Sequence, residues 1–180
     1  MMKITYFVHG TTTDNEKDLA TGWAGGELSE LGIQQSKDLG RLVADKNFVI
    51  VFCSDLKRAV DAANFAFGGK YRISQDKRLR EANYGEFTQK PSSEFKNAMV
   101  GYIEIPFPNG ESYKDVEKRI AEFLKEALQK YDGQHIAIVG HQAPQLALDV
   151  LLKGKTWEKA IAEDWRNTKT WQPGWEYIVS

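Results

Sequence analysis

Three short apolar runs constrain this chain most: Ile4-Thr5-Tyr6-Phe7-Val8, Phe48-Val49-Ile50-Val51-Phe52-Cys53 and Ile136-Ala137-Ile138-Val139. They are rich in β-branched and aromatic residues, and stretches of helical spacing separate them. A run with little alternation between apolar and polar marks a strand covered on both faces. Strands of this kind alternating with helices pair in parallel, because each right-handed crossover returns the chain to the same sheet. The expected fold class is α/β, a three-layer sandwich with a mostly parallel central sheet and helices on both faces. The length of 180 residues suits a single domain over 1–180, and no repeat, low-complexity tract or linker divides it.

The pattern predicts strands over 3–8, 48–53, 71–74 and 135–140, with 175–179 as a closing edge strand. Residues 10–28 read as a loop. Ser29 is a candidate cap for a helix whose apolar stripe is Leu31, Leu39, Leu42 and Val43. Ser54 and Asp55 are candidate caps for a helix running to about Phe67, with Leu56, Ala59, Val60 and Ala63 on one face. Residues 78–110 read as irregular, broken by Pro91, Pro106 and Pro108. Ser112-Tyr113-Lys114-Asp115 resembles a capping box, and Val116, Ile120, Phe123, Leu124, Ala127, Leu128 and Tyr131 follow at helical spacing. Further helices are expected over 143–152 and 156–165. Trp157, Trp165, Trp171 and Trp175 read first as core and edge packing, and second as a dimer contact.

Composition removes several function classes. Net charge is -1, from 24 basic and 25 acidic residues, and no basic stripe stands out, which argues against nucleic acid as a partner. The lone Cys53 lies inside an apolar run and reads as a buried structural thiol. The apolar runs are too short for a membrane span and the first residues lack a signal-peptide layout, so the expected location is cytoplasmic. Gly154-Lys155-Thr156 looks like the end of a phosphate-binding loop. The first glycine of that motif would fall at Asp149, after a helix and not a strand, which rejects it. His9 and His141 bring no cluster of cysteine or histidine partners, so no metal is expected. His135 opens its strand after Asp132-Gly133 and reads as a surface residue.

Chemistry concentrates just beyond the strands. His9 follows the first run, His141 follows the run that ends at Val139 and Gly140, and Ser54-Asp55-Leu56-Lys57-Arg58-Ala59 follows the second. Open α/β sheets bind ligands at the carboxyl ends of their strands. Two imidazoles and a guanidinium there suit a phosphoryl group. A neutral imidazole is a nucleophile near neutral pH, and arginine presents a planar fork to anionic oxygens. The helix after His141, with Pro144 near its first turn, offers free backbone N–H groups to the same anion.

These blocks resemble the histidine phosphatase superfamily, also called phosphoglycerate mutase-like, over most of the chain. Val8-His9-Gly10-Thr11-Thr12-Thr13-Asp14-Asn15 is similar to its opening Arg-His-Gly motif and polar loop. Gly22-Trp23 with Leu28-Ser29-Glu30-Leu31-Gly32 is similar to its second block, and Ser54 to Ala59 to its Ser-x-Leu-x-Arg-Ala block. Leu79-Arg80-Glu81 with Gly85 matches the block that bears the acid. Gly110-Glu111-Ser112 and His141 follow in order. The resemblance implies His9 as nucleophile, Glu81 as acid and His141 as second catalytic histidine. It also implies phosphate binding by Arg58, His141, Gly10, Thr12 and Asn15, with neither cofactor nor metal. The expected activity is a metal-independent phosphatase that hydrolyses a small phosphomonoester through a phosphohistidine. The implied partner is a small phosphorylated metabolite, with no nucleic acid and no membrane, for a monomer or homodimer.

Val8 stands where the family has its first arginine, which contacts phosphate. Thr11 replaces a common glutamate, and Gln89 stands near a frequent glycine. Three readings follow from Val8. A cation such as Lys17 or Arg80 compensates, the enzyme works with a weaker pocket, or the site binds phosphate ligands without turnover. A phosphoglycerate mutase is the less favoured alternative. The stretch from Gly85 to Gly110 is short for a closing cap and offers only Lys90 and Lys96 to a second phosphate.

Overall fold

The computed structural model describes residues 1–180. In chain order the elements are β1 (Met2–Val8), α1 (Thr13–Glu16), α2 (Glu30–Leu42), β2 (Ile50–Cys53), α3 (Lys57–Phe67), β3 (Ile73–Gln75) and α4 (Ser93–Lys96). Then follow α5 (Tyr113–Tyr131), β4 (His135–Gly140), α6 (Gln142–Lys153), α7 (Trp157–Ala162), α8 (Trp165–Thr168) and β5 (Trp175–Val179). The sheet order is β3-β2-β4-β1-β5. The first four strands are mutually parallel, and β5 closes the edge antiparallel to β1. This is the expected mostly parallel α/β sandwich.

Side-chain alternation sends the two strand faces into two cores. Phe7, Val51, Cys53, Ala137 and Val139 pack with α2 and α3. Ile4, Tyr6, Ile136 and Ile138 pack with α5, α6 and α7. The register aligns Val8 with Gly140 and Cys53 with Val139. The three central strands therefore end at one level, and His9, Ser54 and His141 emerge side by side. Cys53 is buried, as expected, and burial with the nearby Asp55 pushes its thiol up to about 12, which leaves it inert.

Several local readings need correction. Leu31 and Leu42 are more than half exposed. Val43 is buried and Leu39 packs on the core as expected, and beside them the inward face carries the small-residue stripe Gly32, Ser36 and Gly40. A Cβ at Gly32 would lie 1.9 Å from the carbonyl oxygen of Thr11, and one at Gly40 would lie 2.3 Å from that of Ala66. Close backbone approach selected these positions, so an apolar count misreads them. Ser54 and Asp55 do not cap α3, whose cap position is Leu56 without a side-chain bond. The helix expected over 156–165 ends at Ala162, and Asp164 caps the separate turn α8 that begins at Trp165. His135 is half-buried: its Nε2 bonds the Thr5 hydroxyl at 2.8 Å and its ring packs on Phe48. The capping box at Ser112 with Asp115 is present.

The stretch from Gly85 to Gly110 contains only short turns and α4, yet it is firmly packed. Tyr84, Phe87, Phe95, Tyr102, Phe107 and Tyr113 form a chain of ring contacts with centroids 4.1–6.0 Å apart. Trp157 and Trp175 are buried, whereas Trp171 is exposed. No helix is long and apolar enough to cross a membrane.

Candidate functional site

His9 continues the β1 ladder by donating its backbone N–H to the Gly140 carbonyl. Its ring centroid lies 5.1 Å from that of His141. His9 Nδ1 is 2.7 Å from the Gly10 carbonyl oxygen. A carbonyl only accepts, so Nδ1 carries the proton and Nε2 carries the lone pair. Arg58 Nε donates to that Nε2 at 3.3 Å. Gly10 allows α2 to close in: a Cβ there would sit 2.3 Å from the Gly32 carbonyl oxygen.

His141 is fully buried at the entrance to α6. Tyr6, from the adjacent strand, clamps its backbone on both sides: the hydroxyl donates to the His141 carbonyl at 2.8 Å and accepts its N–H at 2.7 Å. Ser54 Oγ lies 2.6 Å from His141 Nε2 and also accepts the Leu56 N–H at 3.3 Å. Ser54 is fully buried and its O–H has no other acceptor in the protein, so it donates to Nε2. The imidazole proton then resides on Nδ1, which is buried without a partner in the protein. A buried donor left open beside a nucleophilic nitrogen suits an anionic oxygen.

Arg58 is 2% exposed on the first turn of α3. Its terminal nitrogens donate to the Gly22 carbonyl at 2.7 Å and the Ala24 carbonyl at 3.2 Å, which fastens the loop before α2 over the pocket. Burial lowers its pKa, while the field of Glu81 works in the opposite direction.

Glu81 sits at the start of α6. Its Oε2 accepts the Gln142 N–H at 3.1 Å, and its Oε1 accepts those of Ala143 and Ala82, both at 2.9 Å. The helix N-terminus expected to be free for an anionic ligand is thus already occupied by this carboxylate, whose charge suits the positive helix end. The Glu81 backbone carbonyl is held by Trp23 Nε1 at 2.7 Å and by Arg119 at 2.9 Å. Arg119 itself is anchored on Glu111.

Thr12 and Asn15 form the reciprocal capping box of α1, each side chain bonding the other's backbone at 3.0 Å. The two candidate replacements for the first arginine are otherwise placed. Arg80 makes a bidentate pair with Asp55 at 2.6 and 2.7 Å and stacks over Trp23, while Lys17 is exposed at the end of α1. Val8 packs against the apolar core on the Tyr6 face. Sequence reading missed Tyr6 because it looks like one more apolar strand residue. It took Ser54 for a helix cap, and it passed over Trp23 and Arg119, whose partners are distant backbone carbonyls.

Both imidazoles are held neutral. Burial, with the Arg58 charge second, lowers His9 to about 3, and the same causes push His141 well below its ordinary value. In the unfolded chain both protonate near pH 6.5. Between that value and the folded one the unfolded state binds more protons, so stability rises with pH and is lost on acidification. The loss is at most about 1.4 kcal/mol per unit per imidazole. Thermal melts should therefore fall between about pH 7 and pH 5, above most carboxylate titration. His9→Asn should flatten that slope, and an unchanged slope would contradict the assignment.

The sequence profile of the histidine phosphatase superfamily (branch 1) matches residues 6–175. The 2,3-bisphosphoglycerate-dependent phosphoglycerate mutase of Cytophaga hutchinsonii is 29% identical over 147 residues, covering 74% of this chain and 68% of the relative. The enzyme of the same name from Streptococcus agalactiae is 37% identical over 100 residues, covering 52% of this chain and 44% of the relative. Among solved structures, the alpha-ribazole phosphatase of Shigella flexneri superposes with a TM-score of 0.77 at 27% identity, covering 88% of this chain and 83% of that one.

Proposed function

The chain belongs to branch 1 of the histidine phosphatase superfamily, and from that membership we propose that it is a metal-independent phosphomonoesterase acting through a phosphohistidine on His9. The observation that carries this reading is the tautomer pair. The Gly10 carbonyl fixes the lone pair on His9 Nε2, while the open N–H of His141 Nδ1 stands in the neighbouring ring. His9 Nε2 attacks phosphorus and the bond to the leaving oxygen breaks. Arg58 and His141 meet the charge on the transferring oxygens. Glu81 is the donor to the leaving oxygen, a role in which its carboxyl exchanges one of the three backbone N–H groups it accepts for the proton it delivers. As a carboxylate it then takes one from the water that hydrolyses the N–P bond, which returns inorganic phosphate and free His9.

Packing of the Gly85–Gly110 stretch favours hydrolysis over mutase chemistry. Its aromatic residues are built into the core, so no large closing cap is left to protect the phosphoenzyme from water. Lys96 is paired with Asp18 at 2.9 Å, and Lys90 lies over the Phe87 ring. Neither lysine is held at the imidazoles. The substrate is a small phosphorylated metabolite. A panel of such monoesters assayed for phosphate release with chelator present should give turnover on at least one member. Activity that needs an added divalent metal contradicts the mechanism, and efficient positional transfer on a phosphoglycerate favours the mutase.

A further inference from the structure

Much of the donor capacity around the two imidazoles is spent within the protein. Arg58 commits its Nε–H to His9 and one N–H of each terminal nitrogen to a loop carbonyl, which leaves one N–H on each. The first N–H groups of α6 go to Glu81. Arg119 binds Glu111 and the carbonyls of Arg78 and Glu81, and Arg80 binds Asp55. A phosphoryl group brings three oxygens and close to two negative charges, which the His141 N–H and the two remaining Arg58 N–H groups meet only in part.

Close to the head of α6, Arg166 keeps most of its donors free. Arg166 makes a single side-chain hydrogen bond, from Nη1 to Asp164 at 3.3 Å, and lies over the Trp165 ring at 4.4 Å. Its Nε and Nη2 have no hydrogen-bond partner. The placement of α8 is firm. Asp164, with a side chain only 2% exposed, caps α8 through the Arg166 N–H at 3.1 Å. The other oxygen of Asp164 accepts the side-chain amide of Gln142, the residue directly after His141. One buried carboxylate thus ties α8 to the head of α6, where Glu81 also docks. The positive charge of Arg166 is the smallest of the causes that lower the proton affinity of both imidazoles, after burial and Arg58 and, at His141, also after His9 and Arg119.

We propose that Arg166 is a phosphate-binding residue of this site, turning its unpaired guanidinium edge onto phosphoryl oxygens that Arg58 leaves unmet. It supplies from α8 the second cation that β1, ending in Val8, does not carry. The inference rests on the phosphoryl-transfer reading above. The side chain is about one-third exposed, so it can swing without breaking the core, and Asp164 holds its backbone in place.

Calorimetric titration of the full chain with inorganic phosphate and with orthovanadate tests this without requiring turnover. Arg166→Ala should weaken both by about tenfold or more, the loss of one charge-assisted contact of about 1.4 kcal/mol. Arg166→Lys should recover part of the affinity, since the charge is kept and the fork is not. Lys125→Ala, which removes an exposed charge on α5, should bind as wild type. Circular dichroism and thermal melts check that α8 stays folded. Binding by Arg166→Ala within about twofold of wild type would overturn the assignment while leaving the site reading intact. An equal loss in the lysine and alanine variants would also overturn it, because a structural role would then explain both. A wild-type protein that binds neither anion would overturn both the assignment and the reading beneath it.

Discussion

His9→Ala is expected to lower hydrolysis of an aryl phosphate by about 10⁴-fold or more, to the level of the uncatalysed reaction plus whatever the remaining donors supply. The imidazole is the group that both forms and releases the covalent bond, and nothing else nearby can substitute for it. Cys53 is buried with a raised pKa, and Ser54 is engaged with His141 and the Leu56 N–H. The variant should still fold. His9 is only half-buried and ends a strand whose ladder uses backbone atoms alone. Wild type, quenched during turnover, should carry an acid-labile phosphoryl group that His9→Ala lacks. The low pKa of His9 predicts that the nucleophile stays unprotonated throughout the neutral and mildly acidic range. Any acidic fall in kcat/KM above about pH 5 then belongs to another group. Equal inertness of wild type and His9→Ala, with phosphate binding retained in both, would establish the non-catalytic binder instead.

The sheet was legible because its signal is local. Uninterrupted runs such as Ile136 to Val139 have few alternatives, and His9, Arg58 and His141 each lie within a few residues of a strand end. Their convergence follows once the strands are parallel and in register. Glu81 was legible only through family resemblance, since it lies in an irregular stretch with Glu86 close by. What the sequence hid is long-range polar pairing. The bond from Ser54 to His141 spans 87 positions and that from Trp23 to the Glu81 carbonyl spans 58. Neither residue type announces such a partner. The helix stripe held at Leu39 and Val43 and failed at Leu31 and Leu42 for a different reason. Part of the buried face of α2 is Gly32, Ser36 and Gly40, where backbones approach closely, and apolar periodicity cannot register a contact built from missing side chains. The two cations that sequence offers to offset Val8 are otherwise placed, Lys17 at the exposed end of α1 and Arg80 paired with Asp55. The candidate that the fold supplies, Arg166, is 158 residues beyond Val8.

Arg58→Ala is expected to cost about 10²–10³-fold in kcat/KM and to destabilise the fold as well, a combination that separates it from His9→Ala. The guanidinium does two jobs through one planar group. Its Nε faces the nucleophilic nitrogen and is the donor nearest to where a phosphoryl oxygen must sit, while its terminal nitrogens hold the Gly22 and Ala24 carbonyls. Removing it leaves those carbonyls without their donor and opens a buried volume at 2% exposure. Each unsatisfied acceptor costs on the order of 1–3 kcal/mol where water cannot replace the donor. A fall of several degrees in melting temperature is expected, at about 2–4 °C per kcal/mol for a chain of this size. Arg58→Lys keeps the charge but not the fork. It should regain part of the phosphate affinity and little of the loop contact, so kcat/KM and melting temperature should recover unequally. Loss of the Arg58 charge also removes the second-largest cause of the low His9 pKa, so the imidazole should protonate at a higher pH in the alanine variant and not in the lysine variant. Identical His9 titration in both, followed by the ring proton shifts, would show that burial alone sets the value and that Arg58 does not act on the nucleophile through its charge.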